Sequence, residues 1–419
     1  MGKRGVIAGL EIGRRGVRIV AGEVIDGAFH CIGASRAACS DGVKNGTVIN
    51  LDSVTEAIVT AVEEIHQKTQ TRITRAFANI SGLHVKGEAV NALIALPQRG
   101  AEITQKNIDD LIESCTIVSV PLDRYLLALH PLDYILDGQD GITNPLGLCG
   151  SKLEAKVFIV TTPYNQVQNV IKTVQYAGLE VGGTILTILA NAYAVVTDDD
   201  RDQGVAVIDC KTDFTEVSIF QGGDPVFFTT IPKGQQAITD RIAETLAIPL
   251  ELAEELKVQY AFLDNAQGED RRNQETIPLE WMGRSQGIVR RDLNAIVGGQ
   301  LDVLATAIRD ALQGFDGLHD IVKKGMVITG GCTAMEGYVE YLSARLGFTL
   351  RQGCVARGLD AWLEGYRFAD IEARSEEYAV ALGLLRYGLL KSREIAARRS
   401  ARFFKRVVQK TGEVLSDYF

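Results

Sequence analysis

The sequence predicts an α/β protein of two similar lobes, with a further α/β unit inserted into the first. Three observations predict it. A glycine-turned run of three strands occupies residues 5–35 and recurs at 204–234. Each run is followed by a helix and another strand. Between them, residues from about 84 to 161 carry strands and a helix that the second copy lacks. Two such units facing each other place a cleft between lobes, the usual position of a small-molecule site.

The elements follow in order. GVIAGLEIG, GVRIVAGEV and AFHCIGASR read as the first meander. Residues 52–69 carry Val54, Ala57, Ile58, Ala61, Val62 and Ile65 at helical spacing, with Asp52 or Ser53 as the cap. Residues 75–82 and 84–96 read as strands, and Thr104–Cys115 as a helix capped by Thr104. Residues 129–158 read as short strands alternating with Gly/Pro turns, before a helix at about 164–177. The second meander precedes a helix at about 235–246. Residues 264–275 read as a polar loop and about 285–313 as a long helix. Residues 323–337 read as a buried strand, a double glycine and a helix start, and residues 375–390 as a helix of small residues.

Composition narrows the function classes. The 419 residues carry 44 Lys and Arg against 53 Asp and Glu, a net charge of −9, which does not suit a nucleic-acid binder. Seven cysteines lie scattered with no C-x-x-C pair, the usage of a reducing compartment. Five histidines form no metal-ligand spacing. The first apolar run stops at Glu11, too soon for a signal peptide, and Val181–Val196 is too polar to span a bilayer. The expectation is a cytoplasmic chain that no helix carries across a membrane.

Three turns carry the chemistry. The first is Gly9-Leu10-Glu11-Ile12-Gly13-Arg14; glycines there let backbone N–H groups approach phosphates, and a carboxylate holds Mg²⁺ through water. Its spacing is not G-x-G-x-x-G, which excludes a Rossmann reading. The second is Asp209-Cys210-Lys211-Thr212-Asp213-Phe214-Thr215-Glu216. The third is Thr329-Gly330-Gly331-Cys332, ending a buried strand. In AEELK, Glu254 and Lys257 stand three apart on one helical face.

GLEIG at 9–13, VIDCKTDFTEVSIF at 207–220 and VITGGCTAMEG at 327–337 resemble the two phosphate motifs and the adenosine motif of the actin-like ATPase superfamily. HPLDYILDGQDGITNPLGLCGSKLEAKVFIVTTP at 130–163 resembles the signature stretch of the FtsA family within it, as do NISG at 79–82, AEELK at 253–257 and the tail. The resemblance implies an actin-like two-lobe fold of duplicated ribonuclease-H-like domains with an inserted α/β subdomain. Its divisions fall at 1–83, 162–203 and 366–395 for the first lobe with its return helix, and 84–161 for the insert. The second lobe takes 204–238, 239–300 (its upper subdomain) and 301–365, and a linker with an amphipathic helix takes 396–419. It implies ATP or ADP between the lobes, against Gly9, Glu11, Gly13, Arg14, Asp209, Lys211, Thr212, Thr215, Glu254, Lys257, Gly330, Gly331 and Cys332, with Mg²⁺ held indirectly by Glu11 and Asp209.

This chain departs from that pattern. Arg14 stands where relatives carry Ser or Thr. Lys211, Thr212 and Asp213 replace three glycines, and Phe214 takes a hydroxyl position. Side chains there obstruct a close phosphate approach, and Asp213 adds negative charge that Lys211 and Arg14 can offset by pairing. Hydrolysis is expected to be weak or absent, and no strong catalytic base stands out.

The tail is a separate signal. In SARFFKRVVQKTGEVLSDYF the apolar Phe403, Phe404, Val407, Val408, Val414, Leu415, Tyr418 and Phe419 fall on one helical face. Between Glu394 and Glu413 stand Arg398, Arg399, Arg402, Lys405, Arg406 and Lys410, with no acid among them. Each Lys or Arg near an anionic leaflet is worth about 1 kcal/mol, so the tail reads as a reversible membrane anchor on an acidic body. The resemblance implies a cell-division adaptor on the inner face of the membrane at the division site. It would polymerise, hold the C-terminal peptide of FtsZ through about 239–300, and meet other division proteins through the insert. A small-metabolite kinase and a pilus-assembly adaptor of the same fold stand as alternatives.

Overall fold

The computed structural model describes residues 6–25, 28–264, 270–281, 284–315, 317–355 and 376–391. The first lobe is a five-stranded sheet in the order Glu180–Leu186, Arg75–Ile80, Ile7–Gly13, Gly16–Ile25, Ala28–Ala38. The second has the order Leu350–Gln352, Met326–Thr329, Val205–Cys210, Thr215–Gln221, Asp224–Ile231. The two sheets have the same connectivity. In each, the first strand of an antiparallel meander sits at the centre, and two later parallel strands extend the other side. The mirrored meanders in the sequence are therefore mirrored in strand order. All six residues of Val205–Cys210 are buried, the mark of a central strand covered on both faces.

The first-lobe helix Leu51–Thr69 buries Val54, Ala57, Ile58, Ala61 and Ile65, as its spacing predicts. Its cap is Asn50 rather than Asp52 or Ser53: Asn50 has extended backbone, and its side chain accepts the Ser53 N–H at 3.2 Å.

The insert forms its own antiparallel sheet in the order Gln139–Ile142, Arg124–Leu136, Lys152–Pro163, Lys86–Ala95. Helix Gln105–Ser119 caps it, held at its start by a reciprocal Thr104–Asn107 box. Of the short strands expected over 129–158, Gln139–Ile142 and Cys149–Gly150 are present, but the strands on either side of them, Arg124–Leu136 and Lys152–Pro163, are long. Pro131 is tolerated inside the first because the register shifts opposite it, between Lys156 and Val157. Leu111, Cys115, Leu153, Val157 and Ile159 give this unit a core separate from those of both lobes.

Two further expectations are corrected in the second lobe. Thr276–Trp281 and Arg284–Val289 form a hairpin, so the long helix begins at Arg290, not near 285. Gly330–Gly331 opens a 3-10 turn, Gly331–Ala334, and the α-helix starts only at Tyr338 after a left-handed Gly337.

Residues 379–391 are helical and return to the first lobe, where Ala381, Leu382, Leu384, Leu385 and Leu389 join its core. Gly9 permits that return. A Cβ on Gly9 would lie 1.8 Å from the Ala381 carbonyl oxygen, and one on Gly383 would lie 1.7 Å from that of Ala190. Among the described residues no helix is long and apolar enough to cross a membrane. The tail residues Arg402, Phe403, Phe404, Lys405, Arg406, Val407, Val408, Leu415, Tyr418 and Phe419 lie outside the described residues.

Candidate functional site

The three turns meet. The ends of Ile7–Gly13 and Val205–Cys210 and the turn after Met326–Thr329 line a cleft of about 440 Å³ between the lobes. That is within the roughly 300–1,000 Å³ of small-molecule sites. Of the residues expected to hold a nucleotide, Glu11, Gly13, Arg14, Asp209, Lys211, Thr212, Gly330 and Gly331 line it. A Cβ on Gly13 would make ordinary contacts with the Gly16 carbonyl at 3.6 Å and Glu11 Oε1 at 3.8 Å, so there is room for it. Gly330 has φ +121°, and a Cβ there would strike the Cys210 carbonyl at 2.1 Å. Glycine is therefore required at 330 by close packing against the Cys210 carbonyl and the Gln235 side chain.

Other expected residues are placed elsewhere. Gly9 faces the return helix rather than the cleft. The Thr215 hydroxyl donates to the Lys233 carbonyl at 2.7 Å inside the second lobe. Cys332 is buried, and burial raises its thiol pKa. Glu254 and Lys257 sit on helix Leu250–Tyr260 as an ion pair at 2.5 Å, with the Thr239 hydroxyl donating to Glu254 at 2.5 Å. Burial raises the Glu254 pKa, but Lys257 and Thr239 together lower it overall.

Four cations of the cleft face five carboxylates, Glu11, Asp209, Asp213, Glu376 and Glu377. The cations are already paired. Arg15 of the first lobe reaches Glu254 of the second at 2.8 Å. Arg18 lies 3.3 Å from Glu377 and 3.8 Å from Glu11. Arg14 donates to the Ser40 and Val43 carbonyls at 2.9 and 3.2 Å and lies 3.8 Å from Asp213. The Lys211 ammonium sits on Asp209, with Glu216 3.6 Å away.

Sequence reasoning missed Arg15, Arg18, Asn45, Asn79 and Asn191. Asn79 accepts the Ile12 N–H at 2.7 Å and so fixes the first turn; Asn191 donates to Thr329 at 2.7 Å, which in turn donates to Asp209 at 3.1 Å. Three arginines within Arg14–Arg18, in and just after a turn read as facing phosphate, were the available signal for the first two.

Glu216 is opposite Asp209 in the ladder and wholly buried. Burial pushes its pKa up to about 7, although Lys211 and the Gly82 N–H pull it down. Burial also raises Glu11, against Arg18 and Lys211. Burial works against the Lys211 ammonium, yet Asp209 and Glu216 raise its pKa overall. The folded chain therefore keeps a proton on Glu216 that the unfolded chain releases near pH 4.5. The contribution of Glu216 to stability is full below that pH and is lost as pH rises to about 7. The cost above pH 7 is roughly 3 kcal/mol. Glu216→Gln is expected to raise stability at pH 8 toward that amount and to change little at pH 4.5, measured by denaturant unfolding at both pH values. Equal effects at the two would contradict this.

The fold family implies a nucleotide with a divalent cation. The cleft volume fits a nucleotide. The carboxylates do not fit the cation: Asp209 is covered by Lys211, Glu216 is enclosed, and Glu11 faces Arg18. A divalent cation needs several free oxygens at once, and among the described residues no group of three or more ligands is placed to hold one.

Comparison with known proteins bears on the whole chain. Residues 82–161 match the model of the SHS2 domain inserted in FtsA, and residues 206–383 that of cell division protein FtsA. The chain is 33% identical to the cell division protein FtsA of Pseudomonas aeruginosa, over 92% of this chain and 90% of that one. It is 30% identical to that of Neisseria meningitidis over 90% and 89%. For Escherichia coli K12 the figures are 27%, 92% and 90%. Among solved structures, the PilM–PilN type IV pilus biogenesis complex matches with a TM-score of 0.64 at 17% identity, over 92% of this chain and 98% of that one. MreB5 of Spiroplasma citri bound to ADP matches with a TM-score of 0.54 at 11% identity, over 86% and 96%. These likenesses show an actin-like fold.

Proposed function

Because the chain belongs to the FtsA family of cell division proteins, we propose that it is an actin-like adaptor of the division machinery. It holds filaments of FtsZ, by their C-terminal peptide, to the inner face of the cell membrane. It assembles head to tail into filaments, meets other division proteins through the inserted subdomain, and takes an adenine nucleotide in the cleft without turnover. The observation that carries the adaptor reading is a kinship spanning nine-tenths of the chain joined to a tail sequence in which six basic residues accompany apolar residues at helical spacing.

Hydrolysis needs a carboxylate free to orient water. Asp209 and Glu216 share the Lys211 ammonium instead, which supports a cleft that binds but does not turn over. The same pairing weighs against a small-metabolite kinase, which needs an available base.

The tail supplies the membrane contact. Its Phe and Val side chains insert while its cations meet anionic headgroups, a two-part attachment suited to reversible binding. Co-sedimentation of the full-length chain with vesicles of phosphatidylglycerol and phosphatidylethanolamine tests this. Removing residues 400–419 is expected to lower the bound fraction at least tenfold, and high salt is expected to weaken binding of the intact chain. Equal binding with and without those residues would end the membrane-adaptor reading.

A further inference from the structure

We propose that the turn at 210–214 carries its own anion and cation in place of a bound phosphate and its metal ion, so that the two lobes close on each other without a nucleotide. The proposal rests on the reading of this cleft as the nucleotide cleft and concerns its regulation.

Asp213 supplies the anion. Its Oδ2 accepts the Asn45 N–H at 2.8 Å, a bond between second and first lobe across 168 positions of chain. Its Oδ1 lies 3.8 Å from Arg14 Nε. An anionic oxygen that accepts a loop N–H and faces a guanidinium makes the contacts a terminal phosphate makes in a phosphate turn. The Asp213 side chain is only 14% exposed, while the Arg14 side chain facing it is 39% exposed.

Lys211 supplies the cation. Its ammonium lies on Asp209, with Glu216 3.6 Å away, and so neutralises the carboxylates that a divalent ion would need. The backbone of the turn is engaged as well. The Lys211 N–H donates to the Phe214 carbonyl at 3.0 Å, while the Lys211 and Thr212 carbonyls accept from Gln235 and Gln236 at 2.9 and 2.8 Å. A phosphate turn offers such an N–H to its ligand; this one closes on itself. Arg15 and Glu254 add a second tie between the lobes.

Closure is thus held by side chains that are always present, and the lobes do not wait for a ligand. A nucleotide entering the cleft finds them already closed and adds little closing free energy, because it can shift the equilibrium only by its differential affinity for the two states.

Hydrogen exchange at the Asn45 amide tests the proposal, on the full-length chain without nucleotide and in EDTA. The amide is expected to be protected, and addition of Mg-ATP to leave its rate unchanged. Asp213→Gly, which restores the glycine of the family pattern, is expected to speed exchange at least tenfold. Asp213→Asn keeps an acceptor oxygen and is expected to fall between. The proposal is overturned if Asn45 exchanges as fast in the unaltered chain as in Asp213→Gly, or if it becomes protected only with Mg-ATP. Calorimetric titration with ATP, with and without Mg²⁺, separates the two readings. A protected Asn45 in a chain that binds no ATP supports the clasp and removes the nucleotide; ATP binding with an unprotected Asn45 does the reverse.

Discussion

Lys211→Ala is expected to destabilise the protein by about 3–5 kcal/mol at pH 8, the range for breaking a buried ion pair from one side. The reason is local. Asp209 and Glu216 are both buried and face each other across the ladder between Val205–Cys210 and Thr215–Gln221. The Lys211 ammonium is the nearby cation for both, and its charge also lowers Glu11. Without it the carboxylates must either repel one another in low dielectric or take up protons. Protonation of Glu216, already held at about 7 in the intact site, is the easier course, so the loss is expected to shrink as pH falls toward 6. The double variant Lys211→Ala with Glu216→Gln is expected to recover part of the loss. Denaturant unfolding at pH 8 and pH 6 measures all three. A single variant as stable as the parent at pH 8 would mean that the ammonium does not neutralise these carboxylates.

Gly9→Ala is expected to destabilise the first lobe by about 1–3 kcal/mol, the typical cost of overpacking, and to free the return helix. The added methyl would sit 1.8 Å from the Ala381 carbonyl and 2.8 Å from the Leu385 nitrogen. Both neighbours are backbone and cannot rotate away, so strand Ile7–Gly13 and residues 379–391 must separate. Hydrogen exchange across 379–391 is expected to rise together with the loss of stability. A variant with parental stability and unchanged exchange there would show that the strand and helix can part without cost. Sequence reasoning had assigned Gly9 to phosphate contact, whereas the structure gives it a packing role at the opposite face of the strand from that reading.

That case marks the border between what the chain displays and what only folding reveals. The duplication was legible because each meander repeats the same spacing of apolar runs and glycine turns, and the two sheets share one strand order. Gly330 and Gly331 were legible as well, since a double glycine after a buried MVIT strand has few other uses. The loss of three glycines at 211–213 was visible, and so was the capacity of Lys211 to offset charge. What Asp213 does was not visible, because its partner Asn45 lies 168 positions away and contributes a backbone N–H, which every residue type but proline carries. The second strand of the hairpin, Arg284–Val289, was read into the following helix because Val289 and Leu293 stand four apart, a spacing that also fits a helix. The cap at Asn50 was missed in favour of two neighbouring polar residues that lie inside the helix.

The central claim is that the chain's own side chains hold the cleft shut. Small-angle X-ray scattering of the full-length, nucleotide-free protein tests it most directly, with EDTA and then with Mg-ATP. The account predicts one closed form, with the same radius of gyration in both conditions and a larger one for Asp213→Gly. A parent chain that scatters as an open molecule in EDTA and contracts only on adding Mg-ATP would contradict it.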